Sequence, residues 1–156
     1  EVILYLFSVE LEKELDGNHV ITPIIIRNVL CKLSTLLQGS YSIIMIIAGY
    51  GILFFKDKYG IRPLLYGKRD NNHLISSESI SLDNLDYEFQ DVNAGEYGII
   101  ELDGTLHKSY YCENYSLTPC IEPSHILWNV LPIPFAVDVT IIFVSVPEDI
   151  TGYVEV

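Results

Sequence analysis

The residues best suited to chemistry gather between Phe55 and Ser79. Asp57 and Arg62 flank Lys58-Tyr59-Gly60-Ile61, and Glu78 stands in Ser76-Ser77-Glu78-Ser79. A carboxylate can take up a proton or bind backbone amides, and an arginine among apolar residues needs a carboxylate or carbonyl partner. Asp57 is close enough in sequence to be that partner for Arg62. Glu78 follows a strand-like run and is placed to cap the segment after it. An internal brace is the favoured role for all three, with substrate binding the alternative for Arg62 and catalysis the alternative for Glu78. The four histidines, His19, His73, His107 and His125, show no metal-ligand spacing and read as surface or turn residues. Cys112 and Cys120 are too far apart for a zinc pair, and Cys31 falls inside a helical pattern. Gly49-Tyr50-Gly51 lies between apolar strands with no helix after it, so it reads as a turn. No nucleophile elbow, Walker loop or dinucleotide fingerprint is present.

These residues must be positioned by two helices and a set of strands. Glu1 to Leu15 reads as a helix ended by Asp16-Gly17-Asn18, although the alternation of Glu10, Glu12 and Glu14 with Val9 and Leu11 also fits a strand. Thr22-Pro23 has the chemistry of an N-cap followed by a first-turn proline. After it Ile26, Val29, Leu30, Leu33, Leu36 and Leu37 recur at helical spacing up to Gln38-Gly39. The period then changes. Tyr41 to Ile47 and Gly51 to Phe55 are continuous β-branched or aromatic runs, typical of strands covered on both faces. Asp57 to Gly60 is turn chemistry. Leu64–Tyr66 and His73–Ser77 flank a polar connection from Gly67 to Asn72, and Ser79 to Leu85 reads as a turn or two of helix. Tyr97–Leu102 and Thr105–Tyr111 flank Asp103-Gly104, a strong hairpin signal. The expected class is α/β (α+β): two helices, then about six mostly antiparallel strands, layered with helices outside and sheets inside.

Composition narrows the function classes. The chain has 156 residues, 49% hydrophobic and 19% charged, which suits one substantial core rather than disorder. A net charge of −12 with nine basic residues argues against a nucleic-acid surface. Three irregularly spaced cysteines are no disulfide framework, so a cytoplasmic location is expected. The uncharged run from Gly39 to Phe55 is interrupted by Ala48-Gly49-Tyr50-Gly51, and Ile126 to Val146 carries Pro132, Pro134 and Asp138, so no membrane span is expected. From Glu122 the prolines Pro123, Pro132 and Pro134 mark an extended connector. Val137 to Val146 is one more strong strand, with the look of the start of another unit.

Several segments resemble one family. Phe55-Lys56-Asp57-Lys58-Tyr59-Gly60-Ile61-Arg62-Pro63-Leu64 resembles the F-R-D-P-x-G-I-R-P-L text of the amidophosphoribosyltransferases. Ser76-Ser77-Glu78-Ser79 with Leu82-Asp83 is similar to their A-S-E-S-x-A-L-D segment, and Asp91 to Glu96 to D-V-x-P-G-E. Gly39-Ser40-Tyr41-Ser42 matches the G-A-Y-S strand start, and Leu117 to Ile121 the exit of the glutaminase domain. In the tail, Val144-Ser145-Val146-Pro147-Glu148 and Thr151-Gly152-Tyr153 resemble the opening of the transferase domain.

The resemblance implies a partial αββα sandwich of the N-terminal-nucleophile hydrolase type over residues 1–121, a proline-rich junction at 122–136, and the start of a phosphoribosyltransferase domain at 137–156. In such enzymes a cysteine thiolate attacks the glutamine amide, and the ammonia passes to phosphoribosyl pyrophosphate to give phosphoribosylamine for purine biosynthesis. Glutamine and phosphoribosyl pyrophosphate are the implied substrates, with Mg and in some members an iron–sulfur cluster. The family's nucleophilic cysteine, glutamine-binding arginine, asparagine-glycine oxyanion site and substrate-binding aspartate match no residue here and are expected upstream of Glu1. No catalytic residue is therefore assigned, and the chain by itself is expected to be inactive. Cys120 matches an iron–sulfur ligand position, but a cluster needs four thiolates and the chain has three cysteines, so neither cofactor nor metal is expected. The alternatives are a non-catalytic interaction or regulatory module that self-associates through uncovered strand edges, and a piece of another class II glutamine amidotransferase.

Overall fold

Helix α1 (Val2–Leu15) turns Phe7, Glu10 and Leu11 inward, which resolves the strand-like alternation at its end in favour of the helix. In α2 (Pro23–Leu36) the Thr22 hydroxyl accepts the Ile25 N–H at 3.4 Å, and proline takes a first-turn position where no backbone donor is needed. Ile26, Val29, Leu30 and Leu33 form its buried stripe. The helices are also tied outside their apolar seam. Glu14 accepts from Lys32 at 2.6 Å and from Asn28 at 3.1 Å, and these contacts hold its carboxyl below the usual range. The computed structural model describes residues 2–17, 20–111 and 140–144, the last by backbone alone.

Among the described residues the remaining elements are β1 (Ser42–Ile47), β2 (Gly51–Lys56), β3 (Leu65–Arg69), β4 (Asn72–Ser76), α3 (Ser79–Asp83), β5 (Glu88–Asp91), β6 (Glu96–Glu101), β7 (Leu106–Tyr110) and β8 (Thr140–Val144). They make a five-stranded sheet ordered β7-β6-β2-β1-β8 and a three-stranded sheet ordered β4-β3-β5. All pairings are antiparallel except β1 with β8, which run parallel with Met45 opposite Ile142.

Strand alternation divides the apolar residues between two cores. Ile43, Met45, Ile47, Leu53, Phe55, Tyr97 and Ile99 face the helices, where they pack with Phe7, Leu11, Ile26, Val29, Leu30 and Leu33. Phe54 and Ile100 face the smaller sheet and pack with Leu64, Tyr66 and Val92. Helices, large sheet and small sheet thus form successive layers, and the cover on both faces explains the unbroken apolar runs of β1 and β2. Beyond the small sheet, α3 sets Leu82 against Gly67, where a Cβ would stand 2.4 Å from Leu82 Cδ2. That glycine lets the short helix lie close to β3.

Two local expectations change. The polar stretch Gly67 to Asn72 is mostly strand: the ladder runs to Arg69 opposite Asn72, leaving Asp70-Asn71 as the turn, with Asp70 at φ 54°. Strand β5 had no sequence signal because all four of its residues are exposed; it forms by completing the free edge of β3. The junction at 122–136 and most of the 137–156 tail lie outside the described residues. Among the described residues no helix is long and apolar enough to cross a membrane.

Candidate functional site

Asp57 sits where β2 leaves the large sheet, at the same end as the starts of β1 and β6 and the finish of β7. It is 1% exposed, and its carboxylate accepts from four donors. Oδ2 takes the Ser40 hydroxyl at 2.9 Å and the Tyr41 N–H at 3.1 Å. Oδ1 takes the N–H groups of Tyr59 at 2.7 Å and Gly60 at 3.1 Å. One oxygen therefore fixes the entry to β1 while the other shapes the turn after β2. These bonds fill the acceptor positions of a carboxylate, leaving it to act as a clamp rather than a free base.

The turn so formed locks onto a second one. The Asp57 carbonyl accepts the Gly95 N–H at 2.9 Å, and a Cβ on Gly60 (φ +62°) would stand 2.9 Å from the Ala94 methyl. Glycine serves Gly60 twice, by its left-handed backbone and by the close approach. Glu96 holds the second turn from inside: Oε2 accepts the Asn93 N–H at 2.7 Å and the Asn93 side-chain amide at 2.9 Å, while Oε1 pairs with Lys108 at 2.8 Å. Tyr111, 1% exposed, closes the knot by donating its hydroxyl to the Lys56 carbonyl at 2.7 Å and its N–H to Gly95.

The other expected site residues lie around this knot to different degrees. Arg62 is half-buried just beyond the turn, and its carbonyl accepts the Ser42 hydroxyl at 3.2 Å. Glu78 occupies the N-cap position of α3 but is exposed, and its side chain makes no capping hydrogen bond. The anticipated capping bond is thus missing; the nearby side-chain contact is the reverse one, Glu78 N–H to the Ser76 hydroxyl at 3.1 Å. Cys31 is exposed on α2. Cys112, Cys120, His19 and His125 lie outside the described residues. His107 is a surface residue whose Nε2 is 3.2 Å from Glu101.

His73 is a different case from the turn histidine expected. Its Nδ1 is 2.7 Å from the Tyr66 hydroxyl and its Nε2 is 3.0 Å from the Gly104 carbonyl. A carbonyl only accepts, so the neutral ring carries its proton on Nε2 and receives the Tyr66 O–H at Nδ1. Burial raises the pKa of Tyr66, in keeping with a phenol that stays a donor. The ring thereby ties the small sheet to the β6–β7 turn, and Lys108 lies 5.6 Å from the Tyr66 ring centre. The sequence reading missed the Asn93–Glu96 contact, which a three-residue spacing across a turn could have suggested; nothing pointed to Tyr111 or the Tyr66–His73–Gly104 bridge, whose partners lie far apart along the chain.

An open groove lies beside the start of α2, with Arg27, His107 and Lys108 among its lining residues. Lys108 is paired with Glu96, so its charge is balanced locally, and His107 lies against Glu101.

No protein-family model matches the chain. Among curated proteins it is 38% identical over 89 residues to the amidophosphoribosyltransferase of Haemophilus influenzae, a match covering 54% of this chain and 18% of that protein. It is 32% identical over 131 residues to the amidophosphoribosyltransferase of Escherichia coli, covering 78% of this chain and 25% of that one. Among solved structures, the glutamine phosphoribosylpyrophosphate amidotransferase of B. subtilis, complexed with ADP and GMP, aligns with a TM-score of 0.43 at 18% identity, over 70% of this chain and 28% of that chain. The chain spans between 18% and 25% of the length of these two curated relatives.

Proposed function

This chain carries a segment of the amidophosphoribosyltransferase family, and on that premise we propose that its residues 1–121 supply the scaffold of a glutaminase unit rather than its chemistry. The observation that carries this reading is the use to which the most family-like text is put. Phe55 to Leu64 builds the knot around Asp57, whose carboxylate is taken up by Ser40, Tyr41, Tyr59 and Gly60. We assign Arg62 a bracing role as well, its carbonyl holding the Ser42 hydroxyl, whereas Glu78, exposed and without a capping hydrogen bond, marks the start of α3 and is assigned none. The cysteine nucleophile, glutamine-binding arginine and asparagine-glycine oxyanion site that the resemblance calls for match no residue of this sequence.

The parent reaction on this reading is glutamine-dependent synthesis of phosphoribosylamine from phosphoribosyl pyrophosphate, with Mg bound alongside the pyrophosphate substrate, in the cytoplasm. Residues 122–136 serve as a junction and 137–156 as the opening of a transferase unit. The test is ammonia release from glutamine by the purified chain. No release above a protein-free control is expected, and turnover above that control would overturn the scaffold assignment.

A second reading, a non-catalytic interaction module, draws on the sheet edges. Among the described residues β7, β4 and β5 each pair on one side only. Unpaired edges can accept a further strand from another chain. Size-exclusion chromatography separates the two: concentration-dependent self-association supports the module, and a monomer at all concentrations counts against it.

A further inference from the structure

The sequence contains Asp-Gly twice, at Asp16-Gly17 and Asp103-Gly104, and the fold treats the two differently. We infer that Asp16-Gly17 is a site of spontaneous covalent modification, in which Asp16 converts to isoaspartate, and that Asp103-Gly104 is protected from the same reaction.

In the reaction, the Gly17 amide nitrogen attacks Cγ of the protonated Asp16 carboxyl. The carboxyl hydroxyl leaves with the amide proton as water, and a cyclic succinimide closes. A water molecule then opens the ring. Cleavage at the side-chain carbonyl restores aspartate, and cleavage at the α-carbonyl leaves isoaspartate, with the chain running through the former side chain. One water leaves and one returns, so mass and redox state are unchanged and no other reactant is needed. Glycine favours the step because it has no side chain to obstruct the attacking nitrogen and leaves its backbone free to rotate.

At Asp103-Gly104 both reacting groups are held. Oδ1 accepts the Thr105 N–H at 2.8 Å and Oδ2 accepts the Thr105 hydroxyl at 2.9 Å, so the carboxylate is turned toward Thr105. The nucleophile is also committed, because the Gly104 N–H donates to the Glu101 carbonyl at 2.9 Å within the β6–β7 hairpin. The Thr105 hydrogen bonds further keep the Asp103 carboxyl below its usual range, which thins the protonated form that loses water.

Among the described residues Asp16 has none of these restraints. It is exposed past the end of α1, its carboxylate has no hydrogen-bond or ion-pair partner among the described residues, and its φ of 41° is a left-handed conformation unfavourable for a residue with a Cβ. Gly17, also exposed, has φ 78° and open space where its Cβ would stand. Phe7 and Leu11 on one side and Ile26 and Val29 on the other keep α1 and α2 anchored in the core, so the link can rearrange without unfolding its flanks.

The test is to age the intact folded chain at neutral pH and digest it with trypsin. Glu14–Arg27 then reports on Asp16, and Asp70–Lys108 on Asp103. Isoaspartate is identified by its backbone-cleavage fragments and by enzymatic methylation of isoaspartyl carboxyls, and deamidation of Asn18 is told apart by its mass increase. Isoaspartate should accumulate at least several-fold faster at residue 16 than at residue 103, the difference should shrink in denaturant, and Asp16→Glu should abolish the signal in its peptide. Equal or faster conversion at residue 103 in the folded chain, or none at residue 16, would overturn the inference.

Discussion

The ring of Phe54 lies directly over Gly98, its partner on the neighbouring strand. A Cβ on Gly98 would stand 2.1 Å from Phe54 Cζ and under 3 Å from both Cε atoms. The same ring stacks on Tyr66 of the small sheet, with centroids 5.6 Å apart and planes 6° from parallel. Gly98 therefore leaves the space in which the two sheets meet. Gly98→Ala should push the ring off its stack and cost about 1–3 kcal/mol of stability. A chemical-denaturation midpoint unchanged from that of the unsubstituted chain would show that the sheets do not pack this way.

The Tyr66–His73–Gly104 bridge should behave as a unit. Tyr66→Phe removes the buried hydroxyl together with its need for a partner, whereas His73→Ala strands that hydroxyl, at a cost of about 1–3 kcal/mol. A double-substitution cycle should give a coupling energy of about 1 kcal/mol. Strict additivity would mean that the two side chains do not share a hydrogen bond.

Tyr50 gives the fold an alkaline limit. Its hydroxyl is buried with no hydrogen-bond partner among the described residues, and burial, with Glu101 and Tyr97 adding to it, pushes its pKa up to about 12. Burial raises Tyr66 and Tyr97 in the same direction. A folded pKa above the unfolded one, about 10, means that the folded state holds the proton more tightly. The stability tied to that proton is complete below about pH 10 and is lost as pH rises toward 12. Denaturation midpoints measured across this range should fall. Tyr50→Phe should lessen the fall and be neutral or stabilising at neutral pH, since it removes an unsatisfied hydroxyl. A Tyr50→Phe profile that falls as steeply as the parent's would remove Tyr50 from this account.

Local rules carried the sequence reading a long way. Thr22-Pro23 marked the start of α2, the continuous apolar runs marked β1 and β2 as doubly covered, and Asp103-Gly104 marked the β6–β7 turn. Each is a signal between near neighbours. What stayed hidden depends on residues brought together by the fold. Strand β5 exists because β3 has an edge to fill. His73 bridges two sheets because its partners sit at residues 66 and 104. The two faces of Gly67 and Gly98 could not be told apart from ordinary strand glycines until Leu82 and Phe54 were seen against them. Asp57 was legible as a brace by position, but its Ser40 and Tyr41 partners, across the start of β1, were not.

The Phe55–Leu64 text holds this end of the fold together through Asp57. The most direct measurement is the denaturation midpoint of Asp57→Ala beside that of the unsubstituted chain. Loss of the carboxylate strands the buried Tyr41 N–H and frees the turn at Tyr59 and Gly60. The expected result is a loss of about 3 kcal/mol or more, or failure to fold cooperatively. A midpoint equal to that of the unsubstituted chain would contradict the account and show that Asp57 is not what secures this end of the sheet.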